Sequence, residues 1–272
     1  MLITFDYFLA FVIGSCIGSF INVVVYRLPI NSSIVRPRSF CPKCKTKLTW
    51  RENIPLISWL IQRGRCKKCD TSIPNRYILV ELTTAILFVI FINSSPSFYS
   101  SNSDYFFNIF FSWIFLSLLI CIALIDIDTF WIPQGLINFG FLAGFFGLIF
   151  IGLFNSKVID FYLLVRGLSS SALWFFIFES LRYLAKFIFK KDAIGRGDSK
   201  LVAMLSLWLG PIGTLFAVGI SYIFAAIYCL VGLPLNLVKF KQVIPFAPFL
   251  SLGGLLIWLM GNDFVIKKIL LI

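Results

Sequence analysis

Histidine is absent from the 272 residues. That removes Ser-His-Asp and Cys-His catalysis, and every zinc site with a histidine ligand. Charge is scarce as well. Asp, Glu, Lys and Arg make up 13% of the chain, against roughly a quarter in soluble domains. There is too little polar surface to cover a soluble globule. Acidic residues number 12, so few carboxylates can do acid–base work. The first apolar run, Phe8–Tyr26, lacks a basic segment before it and a small-residue cleavage site after it. It is expected to be a retained span, not a removed signal peptide.

What the chain has instead is apolar length. It is 59% hydrophobic and 18% aromatic, and a bilayer span needs about 20 mostly apolar residues. The runs number about eight: Phe8–Tyr26, Tyr77–Ile92, Phe106–Ile125, Leu136–Phe154, Phe161–Phe178, Leu201–Gly210, Thr214–Val231 and Phe246–Met260. The expected fold class is therefore all-α and polytopic, with about eight transmembrane helices in contact with lipid. The 32 Phe residues are packing and lipid-facing material. No internal repeat or low-complexity segment stands out.

The net charge of +12 invites a nucleic-acid reading, but its placement excludes one. Half of the 24 Lys and Arg residues fall between Arg27 and Arg76, in one loop between two apolar runs. Such a bias marks a cytoplasmic loop. Odd spans then run inward and even spans outward. The connection Asn93–Asp104, free of Lys and Arg, falls outside. The stretch Arg182–Lys200 and the pair Lys239/Lys241 fall inside. Lys157, Arg166, Lys267 and Lys268 are the exceptions. Three parts are expected: residues 1–28 as the first span, 29–76 as a cytoplasmic loop domain, and 77–272 as the membrane core.

That loop carries two knuckles, Cys41-Pro-Lys-Cys44 and Cys66-Lys-Lys-Cys69, separated by 21 residues. Paired CxxC motifs at this spacing point to tetrahedral zinc on four thiolates. Four sulfurs leave no position for water, so the role is structural. A redox CxxC usually comes singly in a thioredoxin-like pattern, and a disulfide does not suit a reducing compartment. Cys16, Cys121 and Cys229 lie in spans and are expected to pack as small apolar residues.

Ionisable groups at a membrane boundary call for a function. Asp6, Asp104, Asp160 and Asp263 are read as solvated span ends, and Glu52 and Asp70 belong to the basic loop. Two clusters remain. One is Leu124-Ile125-Asp126-Ile127-Asp128, leading to Ile132-Pro133. The other is Gly195-Arg196-Gly197-Asp198-Ser199-Lys200. The topology puts both at the cytoplasmic ends of spans three and six. Two carboxylates held close share one proton, so one can activate water while the other protonates a carbonyl and then an amine. Gly195 and Gly197 permit close backbone approach and φ > 0 there. Lys200 would either act on an aspartate through its charge or extend to the interface. An ion- or proton-coupled transporter and a non-catalytic assembly scaffold are the alternatives. A transporter needs acidic groups at mid-depth, and a scaffold would tolerate Asp126→Asn and Asp198→Asn.

Together these segments resemble the prepilin peptidases, or type IV leader peptidases, of the GxGD aspartyl protease group. The resemblance runs through Gly18-Ser19-Phe20-Ile21-Asn22-Val23-Val24 and Arg27-Leu28-Pro29. It continues with Ser39-Phe40-Cys41-Pro42, Asn53-Ile54-Pro55-Leu56-Ile57-Ser58-Trp59-Leu60, Gly64-x-Cys66 and Arg76-Tyr77-x-x-Val80-Glu81. It ends with Gly195-x-Gly197-Asp198-x-Lys200 and Pro245-Phe246-Ala247-Pro248-Phe249-Leu250. It implies that Asp126 and Asp198 are the catalytic pair, with Asp128 the weaker candidate for the first. Gln134 departs from the family's usual Asp or Asn after the proline. The resemblance further implies cleavage of a basic leader from type IV prepilins or pseudopilins, after glycine, at the cytoplasmic face of a bacterial inner membrane. It implies N-methylation with S-adenosylmethionine as well, an activity that accompanies the amino-terminal block and cysteine loop. Asn22 and Glu81, polar within expected spans, are read as helix–helix hydrogen bonds, with a substrate or methyl-donor contact as the alternative.

Overall fold

A computed structural model describes residues 2–93, 105–156, 161–190, 195–236, 239 and 242–261 of the protein. The connection 94–104, Lys157, Asp160, Lys241, Asp263, Lys267 and Lys268 lie outside the described residues. The described residues are helical apart from loops and turns, with no strand among them. In order they form α1 (Leu2–Arg27), α2 (Ile57–Ile61), α3 (Arg76–Asn93), α4 (Tyr105–Thr129), α5 (Gln134–Ser156), α6 (Phe161–Phe189), α7 (Arg196–Gly232) and α8 (Ala247–Met260). Five stretches are long and apolar enough to cross a membrane: Asp6–Arg27, Asn75–Ile92, Phe107–Thr129, Phe161–Ile188 and Arg196–Gly232. Gln134–Phe150 and Ala247–Met260 are shorter apolar helices. The chain is an all-α, multi-pass membrane protein.

The spans expected at Leu201–Gly210 and Thr214–Val231 are two arms of α7. No loop separates them. Gly210 breaks the helix at φ 71° and ψ 178°, and Pro211 follows it. Glycine adopts that angle without a Cβ clash, and proline can neither donate backward nor continue the ladder. Trp174 of α6 donates from Nε1 to the Pro211 carbonyl at 3.2 Å, which holds the break in place. With the arms taken separately, the described residues contain eight apolar helical segments longer than α2.

Packing divides the chain into Met1–Asn93 and Ser94–Ile272. This differs from the expected three parts, because α3 belongs with α1. In the first unit the two helices meet through Gly14 and Gly18. A Cβ on Gly14 would sit 2.7 Å from Ala85 Cα, and one on Gly18 would sit 2.7 Å from Glu81 Cα. Small residues one turn apart let helices approach this closely in a bilayer. Asn22 Nδ2 then donates to the Tyr77 carbonyl at 3.1 Å, the interhelical bond expected of it.

The second unit is built around the first arm of α7. Leu201 through Leu209 are buried without interruption, as befits a helix apolar on all sides. Trp208 Nε1 donates to the Gly140 carbonyl of α5 at 2.9 Å. Trp258 Nε1 of α8 donates to Ser112 Oγ of α4 at 2.9 Å. Between them Phe115 lies 4.8 Å from the Trp208 ring and 5.0 Å from the Trp258 ring. These indoles join four helices while satisfying their own N–H groups. Ser171 Oγ adds a bond from α6 to the Ala203 carbonyl at 2.9 Å.

Two expectations need correction, one in each unit. Span five does not end near Phe178, since α6 continues to Phe189. Arg182 therefore lies within a helix and is 6% exposed. Glu179, one turn earlier, neutralises it at 2.7 Å, which permits the burial. Among the span cysteines Cys121 is buried, but Cys16 faces outward from α1.

Candidate functional site

Asp126 occupies the last turn of α4 and is 5% exposed. Asp128 lies about 200° further round the helix and is exposed. Phe130, at φ 53°, ends α4, with its N–H donating to the Asp126 carbonyl at 2.9 Å. The chain turns through Ile132-Pro133 into α5. Pro133 accepts from the Leu136 N–H at 3.1 Å and so starts that helix. The Asp126 carboxylate is held by a group that sequence reading did not foresee. The Ala247 amide at the head of α8 donates to its Oδ2 at 3.1 Å.

Asp198 sits in the first turn of α7. Its Oδ2 accepts the Gly195 N–H at 3.2 Å, which satisfies an amide at the helix start. A carboxylate in the first turn is also favoured by the helix dipole. Neither Gly195 nor Gly197 uses positive φ. Gly195 caps the helix at φ −70°, so the expectation of a left-handed turn does not hold. Close approach is what glycine supplies here. A Cβ on Gly197 would meet Ile132 Cβ and Cδ1 at 3.0 Å. The first turn of α7 thus rests on the turn that follows Asp126, and the charge of Asp126 bears on Asp198. Lys200 Nζ donates to Gln134 Oε1, and Gln134 Nε2 donates to Asn138 Oδ1 at 2.7 Å. The lysine's hydrogen-bond partner is therefore on α5. Tyr222 on the second arm of α7 lies beside Phe246, with rings 5.0 Å apart. Carboxylates fixed by backbone amides at helix ends are groups of the kind that share a proton and act on water when held close together.

The second cluster lies in the first unit. The Sγ atoms of Cys41, Cys44, Cys66 and Cys69 all fall within 4.8 Å of one another. Cys41 and Cys69 are 3.7 Å apart, and Cys44 and Cys66 are 4.0 Å apart. A tetrahedral thiolate set on zinc has edges of about 3.8 Å, from bonds of about 2.3 Å. The set fits a metal ion and is too open for a disulfide.

The knuckles repeat each other at short range. Each reads Cys-x-x-Cys-x-Thr, a six-residue repeat confined to the loop. Cys41 N–H donates to Thr46 O at 2.9 Å, and Cys66 N–H to Thr71 O at 2.8 Å. Lys45 and Asp70 turn the chain at φ 56° and 55°. The Thr71 hydroxyl and amide face the Cys69 sulfur and bring its thiol down to about 6. Thr46 lowers Cys44 in the same way. Hydrogen bonds to the thiolate favour the form that binds metal.

Fold and sites define a class: a multi-pass membrane protein with two anchored aspartates at helix ends and a loop whose four cysteine sulfurs are grouped closely enough to hold a metal ion. Comparison with known proteins narrows it. Residues 12–94 match the Bacterial Peptidase A24 N-terminal domain, and residues 113–230 match the Type IV leader peptidase family. A prepilin leader peptidase/N-methyltransferase of Myxococcus xanthus is 38% identical over 199 residues, 73% of this chain. The chain spans 55% of that relative's length. A type 4 prepilin-like proteins leader peptide-processing enzyme of Escherichia coli is 33% identical over 266 residues, 91% of each chain. A prepilin leader peptidase/N-methyltransferase of Legionella pneumophila is 32% identical, covering 97% of this chain and 96% of its own. No solved structure matches this chain. The chain belongs to the type IV leader peptidase family.

Proposed function

We propose that the protein is a membrane aspartyl endopeptidase that removes the leader of type IV prepilins or pseudopilins and methylates the new amino terminus. The observation that carries this reading is the position of the two aspartates. Asp126 ends α4 and Asp198 begins α7, with Gly197 seated on Ile132 between them. The names of the relatives support the substrate class.

The chemistry needs no metal at the aspartates. One carboxylate takes a proton from water as its oxygen attacks the scissile carbonyl. The other, protonated, donates to the carbonyl oxygen. The C–N bond of the resulting gem-diol then breaks as the first carboxyl gives its proton to the amine nitrogen and a gem-diol hydroxyl returns its proton to the second, so the pair again holds one shared proton. The Ala247 and Gly195 amides fix the two carboxylates through one oxygen each. Orientation of this kind supplies part of the barrier reduction.

Cys41, Cys44, Cys66 and Cys69 would hold zinc in a structural role. S-adenosylmethionine, when bound, supplies the methyl group. The setting we assign is a bacterial inner membrane with the aspartates at its cytoplasmic face. The basic loop supports that orientation. A prepilin's basic leader would then stay in water while its apolar stem lies against the enzyme's spans.

Co-expression with a prepilin tests the reading by gel shift and mass. The expected product has lost its leader and gained one methyl group. Intact prepilin across several substrates, with the protein present in the membrane, would remove the peptidase reading.

A further inference from the structure

Each carboxylate is fixed by a backbone amide, from Ala247 for Asp126 and from Gly195 for Asp198. The substrate's carbonyl oxygen gains charge in the reaction, and a preorganised donor aimed at it adds rate beyond the protonated carboxyl. Three side-chain donors close to the aspartates in sequence are engaged or enclosed. Lys200 Nζ donates to Gln134 Oε1, Thr129 Oγ1 donates to the Ile125 carbonyl at 2.8 Å, and Ser199 is fully buried. The fold brings a fourth from the second arm of α7.

The break at Gly210 turns that arm back alongside the first. In a straight helix Leu205 and Ala217 would stand about 18 Å apart. Here adjacent glycines of α8 reach one each. A Cβ on Gly254 would lie 2.9 Å from Leu205 Cδ2, and one on Gly253 would meet the Ala217 carbonyl. Asp198 lies 12 positions before Gly210 and Tyr222 lies 12 positions after it. Arms of equal length, folded together, bring these two residues to a similar level.

The contacts of Tyr222 agree with that placement. Its ring lies 5.0 Å from the ring of Phe246, the residue before Ala247, whose amide holds Asp126. The charge of Asp198 also bears on the phenol. Tyr222 is 48% exposed, so a substrate can reach it. Among the described residues its hydroxyl has no hydrogen-bond partner. Packing on Phe246 needs only a ring, which phenylalanine would supply, and the chain uses phenylalanine 32 times. The hydroxyl is what the packing leaves unexplained.

We infer that Tyr222 contacts the substrate, its hydroxyl donating to the scissile carbonyl oxygen as the tetrahedral intermediate forms. The phenol lends a hydrogen bond and keeps its proton, so every proton transfer stays with the aspartates. The ring seated on Phe246 sets the direction of the donor before the substrate arrives. The inference rests on the peptidase reading and adds a residue that lies outside both aspartate motifs.

The test is steady-state leader removal by full-length Tyr222→Phe enzyme in detergent, with a fixed prepilin, across pH. Phenylalanine keeps the ring and removes only the donor. kcat should fall about tenfold to hundredfold with KM unchanged, because the bond gains its strength in the transition state. The limbs of the pH dependence of kcat/KM, set by the aspartates, should stay in place. A melting temperature near wild type establishes that the variant has folded. If Tyr222→Phe does not fold, Tyr222→Met decides, since methionine adapts to the same space without a hydroxyl.

A folded variant with wild-type kcat overturns the inference and leaves Tyr222 as packing on Phe246. A slower variant with a shifted pH limb also overturns it, since the hydroxyl would then act through Asp198 and not on the substrate. A change in KM alone does the same for the role in the transition state. Absence of cleavage by the wild type would remove the peptidase reading and this inference with it. Cleavage by the wild type that the substitution leaves untouched would remove Tyr222 alone.

Discussion

Replacing Gly197 with alanine tests whether the seat of α7 on Ile132 sets the position of Asp198. The new Cβ would lie 3.0 Å from both Ile132 Cβ and Cδ1, and 3.2 Å from Cγ1. Ordinary carbon contacts begin near 3.5 Å, so α7 or the turn must shift by about 0.5 Å. Misplacement of catalytic groups by about 1 Å can cost about a hundredfold. Half that displacement predicts a loss of about tenfold in leader removal. Ile132→Ala removes Cγ1 and Cδ1, leaving only the Cβ contact. The double variant Gly197→Ala/Ile132→Ala should therefore cleave faster than Gly197→Ala alone. The assay is the initial rate of leader removal with purified protein and a fixed prepilin, at matched amounts of folded enzyme. A Gly197→Ala enzyme at wild-type rate would refute the steric argument. A double variant no faster than the single one would show that Cγ1 and Cδ1 of Ile132 are not the obstacle.

Other outcomes follow from the same geometry. The purified chain should carry one zinc per molecule by elemental analysis. Cys44→Ser should lower that content, and a chain with all four loop cysteines changed to Ser should carry none; full metal in that chain would place the ion elsewhere. Gly18→Leu puts a side chain where Glu81 Cα now lies 2.7 Å from a bare Cβ position. Overpacking of this kind costs about 1–3 kcal/mol, read as lower resistance of the first unit to heat and protease. Trp258→Phe removes the bond to Ser112 Oγ and should cost about 1 kcal/mol, measured as a drop in the melting temperature of the second unit.

Much of this architecture can be read from sequence because membrane spans announce themselves by length and composition. The paired knuckles are equally legible, since CxxC spacing is local and thiolate geometry is narrow. Features created by packing are not. Gly210-Pro211 looks like the end of a span, and run length alone cannot distinguish a loop from a sharp break inside one helix. Arg182 reads as part of a basic loop until Glu179 is seen beside it. Gly14 and Gly18 do form a small-xxx-small pair, a signal that could have placed α3 against α1. In the candidate site the two aspartates stand out because acidic residues are rare and lie at span ends. The amides of Ala247 and Gly195 do not, because a backbone donor leaves no mark in a sequence. The value of Gly197 likewise depends on Ile132, 65 positions away, and no local pattern links them.

The central claim is that Asp126 and Asp198 act together on the scissile peptide. Its most direct test is leader removal by Asp126→Asn and Asp198→Asn enzymes, each separately, at wild-type membrane levels. Asparagine keeps the shape of each carboxylate and can neither hold the shared proton nor accept one from water. The account predicts that both variants lose cleavage to background. Cleavage at the wild-type rate by either variant would contradict it.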